Sequence, residues 1–264
     1  MENFFINERV LPRAGDANAL IVHPHAQRTG GNTMRRIVFA KVYGGERVYS
    51  RMYRKDPPVW KEVSDADLEG VKVFCDHFDF RSNPKVTRPL LPVAVIRHPL
   101  YRTVSLYHFV RRKKTHREHA LARDLDLEAF YDKASTANPR YYRNLQCRRI
   151  CGADDARMAL EWIDEKYLGV GYTEQLDEFV AALGKIFGWP RLDVRGAQPD
   201  AARYDALITP AFRERVLADN AEDLALWETM KKGPPHTLPI RAPKDEARTI
   251  VNRAKAWAKG LLGR

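Results

Sequence analysis

The stretch "HAQRTGGNT", His25 to Thr33, holds the residue types of an anion cradle. Gly30 and Gly31 let the backbone approach a ligand closely. If a helix follows, its first amides and the positive end of its dipole point at the same anion. Arg28 adds a cation, and Thr29, Asn32 and Thr33 add side-chain donors. The Gly-Lys-Ser/Thr ending of a nucleotide-triphosphate loop is missing. A second group lies in "IRHPLYRTVS", Ile96 to Ser105. Arg97 has the planar fork to grip a phosphate bidentately, and Ser105, eight residues on, can donate to the same group. His77, in "DHFDF", supplies an imidazole, the natural general base near neutral pH. His25, just before the first loop, is the second candidate for that role. Each group also has a plain structural reading: a turn that needs glycine, an ion-paired arginine, a helix-surface serine, a locally packed histidine. Together they make an anion site with a base beside it. His23 and His25 at one strand end are a weak metal pair, and no metal site is expected.

These groups need elements to hold them. Short apolar runs at 20–23, 71–75, 93–97 and near 167–172 read as buried strands. Met34, Ile37, Val38 and Val42 recur at helical spacing and end at Gly44-Gly45. Residues 100–112 read as a helix after Pro99, and 176–187 and 212–227 as amphipathic helices. Strands alternating with helices imply a parallel sheet joined by crossovers. Ligands of such sheets bind outside the carboxyl ends of the strands, where the loop at 25–33, His77 and Arg97 fall.

In these stretches the chain resembles the glycan sulfotransferases of the 2-O and 6-O type. "HAQRTGGNT" is similar to their first signature, roughly His-x-Pro-Lys-Thr-Gly-Gly-Thr, and "IRHPLYRTVS" to their second, roughly Leu-Arg-Asp-Pro-x-x-Arg-x-x-Ser. "DHFDF" stands where the family has a Gly-His-x-x-Phe-like segment. "NLQCRRICG" (144–152) and "VGYTEQLDEFVAAL" (170–183) are similar to later segments, so the likeness runs in order over about residues 18–228. It implies a P-loop-like α/β domain, the sulfotransferase fold. It also implies transfer of the sulfuryl group from 3′-phosphoadenosine 5′-phosphosulfate to a hydroxyl of a carbohydrate acceptor. By that resemblance Arg28, Thr29, Gly30, Gly31, Asn32 and Thr33 hold the 5′-phosphosulfate, Arg97 and Ser105 hold the 3′-phosphate, and His77 is the base. Sulfuryl transfer, like phosphoryl transfer, passes a planar charged group in line between two oxygens, so positioning and electrostatics dominate. The loop and Arg28 supply positive charge, so no metal is required in principle. Three positions depart from the family. Arg28 replaces a lysine and is suited to stabilising charge rather than donating a proton. His98 replaces the aspartate after the strand-end arginine, so another carboxylate must orient Arg97, or none does. Gln27 replaces the proline.

The bulk of the chain fits this picture. It has 264 residues, 44% hydrophobic and 30% charged, which suits one domain with an ample core. The expected organisation is a single domain over 1–264, with 235–264 a basic C-terminal helical extension. The net charge of +11 and a pI of about 9.6 predict an anionic partner. The segment "RRKKTHREH" (111–119) is placed to attract an acidic glycan, or is a solvated charged face. In the tail, Ile250, Val251, Ala254, Trp257, Leu261 and Leu262 share one stripe among Lys and Arg. That stripe suits docking on the core, covering the acceptor cleft, or lying on an anionic membrane. Three cysteines, Cys75, Cys147 and Cys151, are too few for a disulfide framework and are expected to be reduced. With no apolar run of spanning length and no signal-peptide pattern, a cytoplasmic location is expected. Two rival functions are a nucleotide kinase and a nucleic-acid binder. The first should show Gly-Lys-Ser/Thr and acidic Mg²⁺ ligands at a strand end, and the second does not require Arg97 and Ser105 beside a glycine pair. No nucleic-acid partner is expected.

Overall fold

A computed structural model describes residues 4–51, 53, 59–194 and 202–233. Six strands form one sheet: β1 (Phe4–Ile6), β2 (Leu20–Pro24), β3 (Val48–Tyr49), β4 (Val73–Asp76), β5 (Leu90–Ile96) and β6 (Gly169–Tyr172). The spatial order is β1-β6-β5-β2-β4-β3. Strands β2 to β6 pair in parallel, while β1 runs antiparallel on β6 with Phe4 opposite Gly171. The wholly parallel sheet expected from the sequence is therefore corrected to a mixed one. A three-residue edge strand and a two-residue strand are too short to show a period-2 pattern.

Both faces of the sheet are covered, which is why its strands read as apolar runs. Leu20, Val22, Phe74 and Ala94 point to one face, and Ile21, Val73, Cys75, Val93 and Val95 to the other. The first face packs on helices that include α4 (Leu145–Cys151), α5 (Ala156–Lys166) and α8 (Ala221–Lys232). The second packs on α1 (31–43) and α6 (Leu176–Phe187). Helix α1 runs from Gly31 to Tyr43, with π-type turns over Met34–Phe39. A third cluster joins α2 (Pro99–Arg112), α3 (Leu127–Ala137) and α7 (Pro210–Asp219). Pro99 opens α2, where its fixed φ and missing N–H suit a first turn.

The single helix expected at 212–227 is two helices, α7 and α8, broken at Asn220. The fully buried Asn220 donates from Nδ2 to the Val216 carbonyl and accepts at Oδ1 from the Asn144 amide. Asparagine competes with the helical backbone in this way, so an apolar period alone does not show the break. The tail at 235–264 lies outside the described residues. Among the described residues no helix is long and apolar enough to cross a membrane.

The chain leaves β2 toward β3 and β4, and leaves β5 toward β6 on the opposite side. Strands β2 and β5 therefore flank a topological switch point, where open α/β sheets bind ligands in a crevice outside the carboxyl ends of the strands.

Candidate functional site

The first wall of the crevice is the loop from His25 to Gly30. Its shape is set internally: the His25 amide donates to the Asp76 carbonyl at 3.1 Å, and Thr29 Oγ1 donates to the Ala26 carbonyl at 2.9 Å. The two glycines are needed for different reasons. Gly30 adopts φ +86° at the start of α1, the left-handed region that costs other residues strain. A Cβ on Gly31 would overlap the His25 imidazole. Arg28 also has positive φ, 72°, the kind of strained position that collects at ligand sites.

The second wall is built from β5 and α2. Arg28 Nε donates to Ser105 Oγ at 3.1 Å, and its guanidinium carbon lies 4.9 Å from the centroid of Phe109. Arg97 Nη1 reaches the Arg28 carbonyl at 3.5 Å. The three residues singled out in the sequence thus meet in one cluster. Arg97 is 1% exposed, and its Nε and Nη2 have no hydrogen-bond partner among the described residues. Burial lowers its pKa to about 10, opposed by the carboxylate of Glu174, so it stays charged at neutral pH. Glu174 Oε1 stands 3.7 Å from Arg97 Nε, an ion pair that leaves the N–H free of a close acceptor. Glu174 is thus the carboxylate that faces Arg97, where His98 next in sequence is not one. His98 itself packs edge-on against Trp227 and has its pKa lowered to about 4, first by desolvation, then by Arg213 and Arg97.

The third wall follows β4. Asp76 accepts the His77 amide at Oδ1 and the Arg51 amide at Oδ2. His77 Nδ1 lies 3.1 Å from the His25 carbonyl. A carbonyl only accepts, so Nδ1 carries the proton and Nε2 keeps its lone pair. The residue is exposed at the rim, while its ring packs on His25 with centroids 3.9 Å apart. Desolvation there holds its pKa below the ordinary histidine value, with Arg149 and Arg35 pushing the same way. A neutral imidazole with an unprotonated Nε2 is the state a general base needs.

His25, the second candidate base, is only 3% exposed and donates from Nδ1 to the Ala26 carbonyl. It lies under Gly31 and supports His77 from behind. His23 lies deeper still, stacked on His25 at 5.6 Å and bonded through Nδ1 to the Val93 carbonyl. Among the described residues no group of three or more His, Cys, Asp or Glu is arranged to hold a metal ion.

This column makes stability pH-dependent. Burial lowers the His23 pKa from 6.5 to about 4. Between these values the unfolded chain binds a proton that the folded one refuses. The stability is therefore fully present above about pH 6.5 and is lost as pH falls toward 4, His23 accounting for on the order of 3 kcal/mol. Urea unfolding at pH 7 and pH 4.5 measures the slope, and His23→Gln should reduce it. An equal slope in that variant would refute the assignment.

One expected ligand group, the Thr29 hydroxyl, is engaged elsewhere. The Thr29 hydroxyl is fully buried and already donates within the loop, so Thr29 shapes the cradle rather than offering a side-chain donor. Asn32 is exposed and accepts at Oδ1 from Arg35 Nη2 at 2.7 Å. Thr33 sits nearly buried in the first turn of α1. Sequence reasoning missed Arg35, a buried cation acting on all three histidines. It also missed Glu174, although that residue falls two positions after a strand end. The basic segment at 111–119 exposes Arg111, Arg112, Lys113, Lys114 and Arg117, and Arg112 lies near enough to act on Arg28. It borders the crevice on the Arg28 side. Cys75, Cys147 and Cys151 are buried free thiols. A cavity of about 790 Å³ between α6 and residues 189–194 is lined by none of the site residues. Compared with known proteins, the chain matches no family model and no curated protein sequence.

Proposed function

We propose that this protein is a sulfotransferase that moves a sulfuryl group from 3′-phosphoadenosine 5′-phosphosulfate to a carbohydrate hydroxyl. One observation carries the reading: Arg97, a buried guanidinium at the end of β5, keeps two N–H groups unbonded beside a glycine-turn helix N-terminus. Such donors are expensive to bury without an acceptor, and a phosphate oxygen pair matches their geometry. The cradle at Gly30 and Gly31 supplies the second anion subsite. The donor, when bound, supplies an activated sulfuryl group on a phosphate leaving group.

The protein's own groups do the rest. Gly30, Gly31 and the first amides of α1 orient the anion. Arg28, whose cation is fixed by Ser105 and Phe109, stabilises negative charge as it develops. His77 Nε2 accepts the proton of the acceptor hydroxyl, while Nδ1–H on the His25 carbonyl keeps the ring in the right tautomer. Nothing in this set requires a triphosphate.

The discriminating experiment is a thermal shift. Adenosine 3′,5′-bisphosphate should raise Tm more than ATP at equal concentration, because only the former offers a 3′-phosphate to Arg97 and Ser105. Equal stabilisation by both would count against that assignment.

A further inference from the structure

The position of Arg97 is set from a helix far away in the chain. The parallel ladder of β5 with β6 ends at Ile96 opposite Tyr172, so the Arg97 peptide lies beyond it. Gln146, on α4, takes over. Its Oε1 accepts from the Arg97 amide at 2.8 Å, and its Nε2 donates to the Arg97 carbonyl at 2.9 Å. One side-chain amide thereby engages both polar groups of the residue, as a neighbouring strand would.

The orientation of that amide is itself determined. The Asp223 carboxylate accepts at Oδ2 from Gln146 Nε2 at 3.3 Å and from the Gln146 backbone amide at 3.0 Å. Its Oδ1 accepts from the Cys147 amide at 2.9 Å. A carboxylate only accepts, so the Gln146 nitrogen must face it and the oxygen must face the Arg97 amide. Asp223 is 0% exposed and Gln146 2% exposed. The buried Arg102 on α2 offsets the Asp223 charge. Asn144 Oδ1 accepts from the Glu222 and Asp223 amides and ties the start of α8 to the start of α4. A fully buried polar chain thus runs from α8 through Gln146 to the end of β5. Apolar packing would stabilise the same contact without defining where the Arg97 peptide sits.

We propose that Gln146 and Asp223 are positioning residues for Arg97. They clamp its peptide so that the unbonded guanidinium N–H groups are held ready for the 3′-phosphate of the donor. The inference rests on the sulfotransferase reading for the identity of the ligand, but the clamp itself is testable without ligand.

The experiment uses the full chain and Gln146→Met, which keeps the length and loses both bonds. In the ligand-free protein, hydrogen exchange at the Arg97 amide should accelerate by about tenfold or more, the scale of one lost hydrogen bond. The β5 amides before it should stay protected. Titration with adenosine 3′,5′-bisphosphate should show binding weakened by about tenfold, as expected within one coupled network. Adenosine 5′-monophosphate, lacking the 3′-phosphate, should bind the variant as it binds the parent. In the Arg97→Ala background the same substitution should bring no further loss. Unchanged exchange at Arg97 overturns the clamp. So does an equal loss for both nucleotides, or the same factor in both backgrounds, each of which a merely structural role would produce. A parent protein that binds the two nucleotides equally overturns the 3′-phosphate reading instead, and the exchange result still decides the clamp. Should Gln146→Met fail to fold, Asp223→Asn carries the same comparison, since it removes the charge that orients the amide.

Discussion

Substituting His77 by alanine is expected to lower kcat by about 10²- to 10⁴-fold, the usual contribution of a positioned general base. Binding of adenosine 3′,5′-bisphosphate should not change. The two effects separate because, among the described residues, no hydrogen bond joins His77 to Arg97 or Ser105, and its Nδ1 is engaged by the His25 carbonyl. On the proposed reading, the unsubstituted protein should also show where the base titrates. Desolvation and the nearby Arg149 and Arg35 favour the neutral ring, so the acid limb of kcat/KM should fall below pH 6.5. The imidazole is active when unprotonated, so activity is retained as pH rises through neutrality and lost as pH falls. In the alanine variant that limb should disappear together with the rate. Sulfur-labelled donor with a panel of glycan acceptors measures both. Full transfer by the variant would remove His77 from the mechanism.

Arg97→Ala is expected to act on binding instead. Two hydrogen bonds from a cation to a phosphate are worth about 3–6 kcal/mol together, or roughly 10²- to 10⁴-fold in Kd. Arg97→Lys should recover little, because a single ammonium cannot span two oxygens as a guanidinium does. The ligand-free protein should tolerate the change, since among the described residues the carboxylate paired with Arg97 is Glu174, whose side chain is 29% exposed and can be solvated. Isothermal titration with adenosine 3′,5′-bisphosphate, alongside a melting curve, distinguishes lost recognition from lost folding. Unchanged affinity would sink the phosphate role of Arg97. It would also leave the two unbonded N–H groups without an explanation.

The groups of the candidate site were legible because their chemistry belongs to residue type. A glycine pair with Arg28, an arginine at the end of an apolar run, and a histidine after another such run each declare what they can do. The strands at 20–23, 71–75 and 93–97 were legible because both faces of the sheet are covered, so nearly every residue is apolar. Strand β1 was not, because three residues carry no period. The break at Asn220 was not, because it depends on Asn144, 76 positions away, accepting a role as partner. Glu174 was partly legible: it follows the end of β6, but nothing in its neighbours tells that β6 lies next to β5.

By itself, then, the sequence determined which groups can hold an anion and which can take a proton, because these are properties of side chains at the ends of apolar segments. Only the tertiary structure decided how they cooperate. The parallel register brings Arg97 to Arg28 and Glu174, the fold of the loop gives His77 its tautomer through the His25 carbonyl, and the packing of α8 on α4 puts Asp223 behind Gln146. Those are contacts between residues 52 to 77 positions apart. No local pattern encodes them, since they follow from which strand lies beside which and from the need of every buried polar group for a partner.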